Sequence, residues 1–317
     1  MSQKTATIAT QRLLLGRFRL TQARREAIAF HLFAAPWIIG FLVFTLGPMV
    51  ASFLLSFTAY DIITPARWVG FDNYRTMLTS DGLVWQALRV TFTYSLIGVP
   101  LGLVLSFLVA LLLNQKLRGI YLYRTLFYLP AILPQVPVAL LWLWIFNPQF
   151  GLLNNFLAIF GITGPQWTFD EFWVLPALIL ISLWGVGGSM VIYLAGLQGI
   201  PQHLYEAVEV DGGNWWARFR HVTVPMMSPV IFFNLVIGII YSMQTFTWAY
   251  VITQGGPNNA SLFYGLYLYN NAFQYFKMGY ASALAWLIFV VILLMTLLVF
   301  RSSPLWVYYE GLGTKGK

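Results

Sequence analysis

The 317-residue chain is 59% hydrophobic and only 9% charged, a balance that excludes an ordinary soluble domain. It has no cysteine and three scattered histidines, His31, His203 and His221, so disulfides, thiol catalysis and zinc–thiolate sites are excluded and no metal-ligand spacing is present. A formal charge of +8 could point to nucleic acid, but the charge is distributed as membrane topology demands, and no nucleic-acid partner is expected.

Residues 1–28 read as a basic N-terminal tail carrying Lys4, Arg12, Arg17, Arg19, Arg24 and Arg25. The apolar run behind it is too long for a removable signal peptide and lacks a small-residue cleavage site. Leu13 to Phe18 fits a membrane interface or a solvated tail equally well. Six apolar segments follow, at roughly 29–58, 88–114, 122–147, 172–198, 226–253 and 278–301, each long enough to cross about 30 Å of hydrocarbon as a helix. The expected fold is all-α and integral to the membrane, with six transmembrane helices and the lipid bilayer as its solvent. It divides into the tail 1–28, a first helix with its extracytoplasmic loop at 29–87, a five-helix transmembrane domain at 88–301, and a C-terminal tail at 302–317.

Of the eighteen Lys and Arg, only Arg67, Arg75, Arg89 and Lys277 fall on the outer side when the N-terminus is placed inside. This asymmetry puts both termini in the cytoplasm. Outer loops 59–87 and 148–171 carry the turn signals Thr64-Pro65, Asn147-Pro148 and Gly164-Pro165, and 254–277 opens with Gln254-Gly255-Gly256-Pro257-Asn258-Asn259. The cluster Gly185, Gly187, Gly188 and Ser189 follows no strand, so helix packing is its better reading than phosphate binding; the same holds for Gly98 and Gly102. Trp142, Trp144 and Trp184 read as interface or lipid-facing aromatics.

The acidic residues (Glu26, Asp61, Asp72, Asp81, Asp170, Glu171, Glu206, Glu209, Asp211 and Glu310) all fall outside these spans. Proton-coupled and many ion-coupled transporters need an ionisable group at membrane depth, which argues against a secondary transporter. No G-x4-G-K-[ST] phosphate loop is present either. Energy for transport would then have to come from a partner. A membrane-embedded enzyme would need a catalytic cluster, and the nearest group is Glu206, Glu209 and Asp211 with His203 and His221, in the loop 199–225.

That loop has a readable pattern. Pro201 suits the first position of a helix, and over 201–210 Leu204, Ala207 and Val208 share one face while Glu206 and Glu209 point away. Asp211-Gly212-Gly213 is a strong breaker. Asn214 can cap a second short helix, in which Trp215, Phe219 and Val222 form an apolar stripe beside Arg218 and Arg220. Pro225 and Pro229 lead into the next span.

Glu206-Ala207-Val208, three residues, Gly212, nine residues, then Val222-Thr223-Val224-Pro225 resembles the EAA loop of ABC importer permeases. Glu206, Ala207, Gly212 and Pro225 match that pattern, and Val208, Val222 and Val224 depart from it conservatively. Tyr123-Arg124-Thr125-Leu126-Phe127-Tyr128-Leu129-Pro130, Asn147 to Asn154, Thr253 to Pro257 and Met278 to Ala283 extend the resemblance to carbohydrate-importer permeases of the MalF/UgpA type, without a large extracytoplasmic insert or extra N-terminal spans. The resemblance implies a cytoplasmic coupling-helix loop in which Glu206, Ala207, Val208, Asp211, Gly212, Asn214, Phe219 and Pro225 meet an ATPase. It implies a heterodimer with a second, homologous permease, two ATP-binding subunits and an extracytoplasmic solute-binding protein. It places the complex in a bacterial or archaeal cytoplasmic membrane. ATP and Mg would sit on the partner subunits, leaving this chain non-catalytic and without a cofactor of its own.

In the fifth span Asn234, Gly238, Tyr241, Thr245 and Trp248 fall within about 80° of one another on a helical wheel, with Gln244 beside them. Amide, hydroxyl and aromatic groups around a glycine gap suit a neutral sugar, and interhelical packing is the competing reading. The absence of Arg or Lys deep in a span leans toward a neutral substrate, although relatives that handle glycerol phosphates keep that alternative open.

Overall fold

The computed structural model describes residues 21–115 and 117–308. Lys4, Arg12, Arg17, Arg19, the run Leu13 to Phe18, Lys116, Glu310, Lys315 and Lys317 lie outside the described residues. Two compact units meet in sequence after Leu54.

The first unit is built on helix α1, Gln22–Leu55, which begins ahead of the expected span. Arg24, Arg25 and Glu26 are therefore helical, and Gln22 Nε2 donates to Glu26 Oε1 at 3.1 Å. A π-turn interrupts the helix at Leu42–Leu46, where the Gly47 N–H bonds back to the Leu42 carbonyl. Pro48 follows at once; it has no N–H and crowds the preceding turn, and a widened turn relieves both faults.

The second unit opens with a small antiparallel hairpin, β1 Thr58–Ala59 and β2 Arg67–Trp68, with Thr58 opposite Trp68. A short helix α2, Asp72–Thr79, leads to the central helix α3, Gly82–Leu113. Asp81 caps α3, its carboxylate accepting from Leu83 N at 3.0 Å, which satisfies one of the orphan donors of the first turn.

The third and fourth spans are not the continuous helices the apolar pattern predicts. The third is α4 Ile120–Ile132 and α5 Gln135–Ile145, bent by 98°; the fourth is α7 Val174–Trp184 and α8 Gly187–Gln198, bent by 47°. The first break has a local cause. Leu133, at φ −69° and ψ 139°, is extended because Pro134 follows it. The fifth span, α10 Trp215–Met243, also stops short of its expected end at 253; Gln244 to Phe246 leave the helix and a π-turn runs over Ala249–Thr253. The sixth is α12, Met278–Ser302. Counting each bent pair as one, the described chain holds six apolar crossings. Short helices α6 Leu152–Ile159, α9 Gln202–Val210 and α11 Tyr264–Tyr269 lie in the connections.

Two cores form along α3. Ala87, Val90 and Tyr94 pack with Leu178, Ile181, Phe263, Tyr264 and Leu284. Further along, Val109, Ala110 and Leu113 pack with Met190, Tyr193, Leu197 and Met227. In the first core buried polar groups pair with one another, which offsets the cost of a dry interior: Thr91 Oγ1 accepts from Tyr264 N at 2.8 Å, and the Tyr264 hydroxyl donates to the Leu284 carbonyl at 2.8 Å. The Tyr193 hydroxyl in the second core and Trp142 Nε1 are buried without a partner among the described residues. Trp142 corrects its expected lipid-facing role, since it packs on the first core and meets Trp184 edge to face at 5.9 Å. Trp144 is exposed.

Glycine at 187 and 279 sets the approach of neighbouring segments. A Cβ on Gly187 would lie 2.3 Å from the Phe127 carbonyl oxygen of α4, and one on Gly279 would lie 1.9 Å from that of Thr58. Arg124 reaches the C-terminal end of α3, donating from Nη2 to the Leu113 carbonyl at 2.9 Å, where a cation meets the unsatisfied carbonyls of the last turn.

Candidate functional site

The helix breaks enclose a cavity of 470 Å³ between α3, the two broken spans and α10. All six residues expected on the fifth-span face, Asn234, Gly238, Tyr241, Gln244, Thr245 and Trp248, line it. They do not do so by helical periodicity throughout, because α10 ends at Met243. Thr245 and Trp248 reach the cavity from the unwound stretch and the turn that follows. Asn234 is buried, and its Nδ2 donates to the Val230 carbonyl at 2.9 Å, so its amide nitrogen is engaged by its own helix. Tyr241 is 73% exposed and projects most freely.

Hydrogen bonds hold the walls. Ser95 Oγ and Ser242 Oγ lie 2.6 Å apart and join α3 to α10. Ser106 Oγ donates to the Gly102 carbonyl at 2.6 Å and lies 3.3 Å from the Val186 carbonyl at the fourth-span break, which also accepts from Met190 N at 3.0 Å. Gly238 lets Val99 approach to 3.0 Å of where its Cβ would stand. Among the described residues no Asp, Glu, Lys or Arg lines this cavity.

The loop 199–225 forms a second assembly at one end of the bundle. Pro201 is not the first helical residue, as the sequence predicts, but the extended residue before α9. The packed face of α9 comprises Leu204, Tyr205 and Val208, while Ala207 is exposed with Glu206. Glu206 Oε1 accepts from Gln202 Nε2 at 3.0 Å. Asp211 closes the helix and Gly212 follows at φ +76°. The Gly213 N–H then bonds to the Val208 carbonyl at 2.8 Å and the Gly212 N–H to the Glu209 carbonyl at 3.0 Å, the paired bonds of a left-handed helix C-cap. A Cβ on Gly213 would lie 2.5 Å from Val208 Cγ1, so both glycines are required.

Asn214 then caps α10, with Oδ1 accepting from Ala217 N at 2.9 Å. The second short helix expected here is instead the first turns of the fifth span, which runs on unbroken from Trp215 to Met243. Trp215 stacks on Phe219 at 5.6 Å and 9°, but stays 65% exposed, whereas Val222 is buried. The expected stripe is thus split between surface and core. The Val224 N–H bonds to the Phe219 carbonyl in a π-turn just before Pro225, repeating the arrangement at Gly47 and Pro48. Tyr205 Oη and Thr223 Oγ1, 3.1 Å apart, tie the two arms together. Glu209 and Arg218 form an ion pair across the bend.

Residues 98–306 match the family model described as "Binding-protein-dependent transport system inner membrane component". The chain belongs to this family. Within it, the chain is 47% identical over 292 residues to the probable ABC transporter permease protein YesP of Bacillus subtilis (strain 168), covering 91% of this chain and 94% of that protein. It is 34% identical over 280 residues to the lactose transport system permease protein LacF of Rhizobium radiobacter, covering 86% and 93%. Among solved structures it matches a bacterial alginate ABC transporter in complex with an alginate pentasaccharide-bound periplasmic protein, with TM-score 0.79, 25% identity, and 90% and 97% of the two chains covered. The chain is accordingly an ABC importer permease component, with the helical fold of that class, and not a catalytic enzyme.

Several residues of the permease cavity carry no substrate role in the sequence pattern, where Ser189 reads as a packing position. Gln135, Ser182, Ser189 and Tyr94 line it alongside the fifth-span group. Gln135, Ser182 and Ser189 sit at or beside a helix break, whose signals are the Leu133-Pro134-Gln135 step and the glycines at 185 and 187, whereas Tyr94 lies mid-way along the unbroken α3. The sequence pattern makes those glycines packing positions. Gly187 does pack, against α4, while Gly185 is the last residue before the bend. Gly98 and Gly102 face the fourth span and also line the cavity.

Proposed function

We propose that this chain forms one half of the membrane path of an ATP-driven importer for a sugar or sugar-like solute. The observation that carries the reading is the 470 Å³ cavity at the helix breaks, lined by neutral hydrogen-bonding groups and aromatic surface with no charged side chain among the described residues. A saccharide leaving water needs its hydroxyl hydrogen bonds replaced, and neutral groups replace them without holding the solute too tightly to release. The lactose permease LacF and the alginate transporter among its relatives support a carbohydrate cargo.

Energy enters from partners in this reading. Loop 199–225 faces the cytoplasm, as do both termini, because the basic residues concentrate on that side. Glu206, Ala207, Val208, Asp211, Gly212, Asn214, Phe219 and Pro225 form the element that meets an ATP-binding subunit, on which ATP and Mg are held. A second, homologous permease completes a heterodimer, two ATP-binding subunits complete the motor, and an extracytoplasmic solute-binding protein delivers the cargo. The periplasmic protein bound to the alginate transporter supports that last partner.

Reconstitution into liposomes tests the reading. Uptake of labelled saccharide should require the ATP-binding subunits, ATP with Mg and the binding protein, and should survive a proton ionophore. Uptake by the permease pair alone, driven by an ion gradient, would overturn it in favour of a secondary transporter.

A further inference from the structure

At the end of the bundle opposite loop 199–225 lies a larger cavity, of 850 Å³, formed by the β1–β2 hairpin, α2, the cap of α3, and the stretch from α11 to the start of α12. It shares no lining residue with the cavity at the helix breaks. Residues far apart in sequence meet here: Asp61 and Arg67 from the hairpin, Asp81 from the α3 cap, and Tyr267, Lys277 and Tyr280 from the C-terminal third.

The two carboxylates and the two cations are treated differently. Asp81 Oδ2 accepts from both the Tyr267 and Tyr280 hydroxyls at 2.5 Å, while Oδ1 accepts from Leu83 N at 3.0 Å. Burial, and then the bond to Asp81, pushes the Tyr267 phenol up to about 12, so it remains a donor at neutral pH. Asp61 Oδ1 accepts from Thr64 N and Thr64 Oγ1, each at 2.7 Å. The Thr64 backbone bond, followed by that of its hydroxyl, lowers the Asp61 carboxyl from its usual range. Both acids thus have donors from the protein itself. Arg67 and Lys277 have no ion-pair partner among the described residues, in which Glu209–Arg218 is the sole ion pair. Both are exposed and line the same cavity.

A site whose acids are already satisfied and whose cations are open favours an anion. Hydroxyl and amide groups from Tyr60, Asn73, Thr76, Ser80 and Asn271 line it further, beside Ala59 and Pro65. The Asn73 amide nitrogen is engaged by the Ser56 and Thr58 carbonyls at 2.8 and 2.9 Å and that of Asn271 by the Tyr267 carbonyl at 2.9 Å, which leaves their amide oxygens. Its volume falls in the range of about 300–1,000 Å³ usual for small-molecule sites. We propose that this cavity is a vestibule subsite for a saccharide bearing an anionic group, a sugar acid above all, with Arg67 and Lys277 receiving the anion and the hydroxyls and amides receiving the pyranose. The proposal rests on the importer reading for its place at the point of entry. It adds a charge preference that the neutral cavity within the bundle cannot supply.

The test uses the complete complex in nanodiscs, without binding protein, and disaccharides ending in glucuronate, galacturonate or mannuronate, each beside its carboxyl-reduced counterpart. Saturation-transfer NMR and calorimetry read the affinity. At least one acid should bind about tenfold or more tightly than its reduced partner, the loss expected when a charge-assisted contact is removed. R67Q and K277Q should each erode that preference, and R67K should retain it. Both side chains are exposed, so complex yield should not change. Equal binding of acid and reduced sugar across the panel would overturn the proposal, as would a preference that survives both Gln substitutions. If R67Q and K277Q instead weaken stimulation of the ATPase by binding protein loaded with a neutral sugar, the cavity docks that protein and the subsite is refuted. Loss of the acid preference with ATP-driven uptake of neutral sugar intact leaves the importer reading standing, so failure of the two is distinguishable.

Discussion

Glu209 and Arg218 are paired across the bend at Gly212, joining the short helix α9 to the first turn of α10 across what the sequence marks as a strong breaker. Their side chains are 54% and 34% exposed, and exposed pairs of this kind contribute about 0–1 kcal/mol. The pair therefore orients the second helix more than it stabilises the fold. Double-mutant analysis with E209Q and R218Q should give a coupling energy below about 1 kcal/mol that fades in high salt. A coupling several times larger and insensitive to salt would mean that the pair is desolvated by a partner in the assembled complex.

Gly212 carries a sharper constraint. At φ +76° an L-residue pays about 1–2 kcal/mol, and a β-branched residue is worse. Gly212→Val should leave the chain inserted in the membrane while ATPase stimulation and uptake fall sharply, and Gly212→Asn should lie between it and wild type. Glu206→Ala should also cut uptake, through loss of a charge-assisted contact worth about 1.5–3 kcal/mol. Normal uptake in both Gly212→Val and Glu206→Ala would remove loop 199–225 from the coupling pathway.

The sequence made the loop almost fully legible because its signals are local: Asn214 caps within three residues, and Gly212 answers only to its own backbone. Where the reading went astray, the cause was non-local. Ala207 sits on the apolar face of α9 by periodicity, yet the bend turns Tyr205 toward Thr223 and leaves Ala207 exposed. The spans show the same division. Hydropathy finds their existence, since any twenty apolar residues satisfy it, but it is blind to the 98° bend, which rests on Pro134. The cavity followed from that blindness: Gln135 and Ser182 matter only once the third and fourth spans are known to be broken. Likewise Arg67 and Lys277 are two unremarkable outer-side charges until the fold brings both to one cavity.

The orientation of the chain has its own test. Reporter fusions after Asp72, Gln166 and Asn259 should read outside, and fusions after Gln115, Asn214 and Lys315 should read inside. An Asn214 fusion reading outside would invert the topology and place the loop away from ATP. Gln166 and Asn259 lie at the same end of the bundle as the Asp81 cap, since Asn258 donates to Glu171 and Gln86 Nε2 donates to the Asn259 carbonyl at 3.3 Å. These fusions must therefore agree with one another.

Packing glycines divide by what their missing side chain would meet. Gly187 faces the backbone of α4, at 2.3 Å from the Phe127 carbonyl oxygen, whereas Gly238 faces the Val99 side chain at 3.0 Å. Backbone cannot yield as a methyl group can. Gly187→Ala should reduce complex yield and lower Tm, with a cost of about 1–3 kcal/mol for overpacking. Gly238→Ala should assemble normally, and any effect should appear in uptake, because that residue lines the cavity. A Gly187→Ala complex as stable as wild type would show that the third and fourth spans are free to separate.

The last prediction separates two residues that the sequence treated alike. Asn234 and Tyr241 both line the cavity, but Asn234 is 4% exposed with its amide donated to Val230, and Tyr241 is 73% exposed. Removing a satisfied buried amide leaves a gap and alters the local helix, a cost of about 1–3 kcal/mol, so Asn234→Ala should lower complex yield before it changes transport. Tyr241→Ala removes a ring and hydroxyl that the fold does not require, so yield should hold while uptake falls or sugar selectivity shifts. ATPase activity stimulated by the binding protein should largely survive. Cysteine substitution reports the difference directly, since the natural chain contains none. A water-soluble thiol reagent should label position 241, and position 245 more slowly, with protection by transported sugar, and should leave position 234 unlabelled. Sugar-insensitive labelling at 241, or none in any transport state, would take the tyrosine off the path and leave the helix-break cavity as a packing defect between spans.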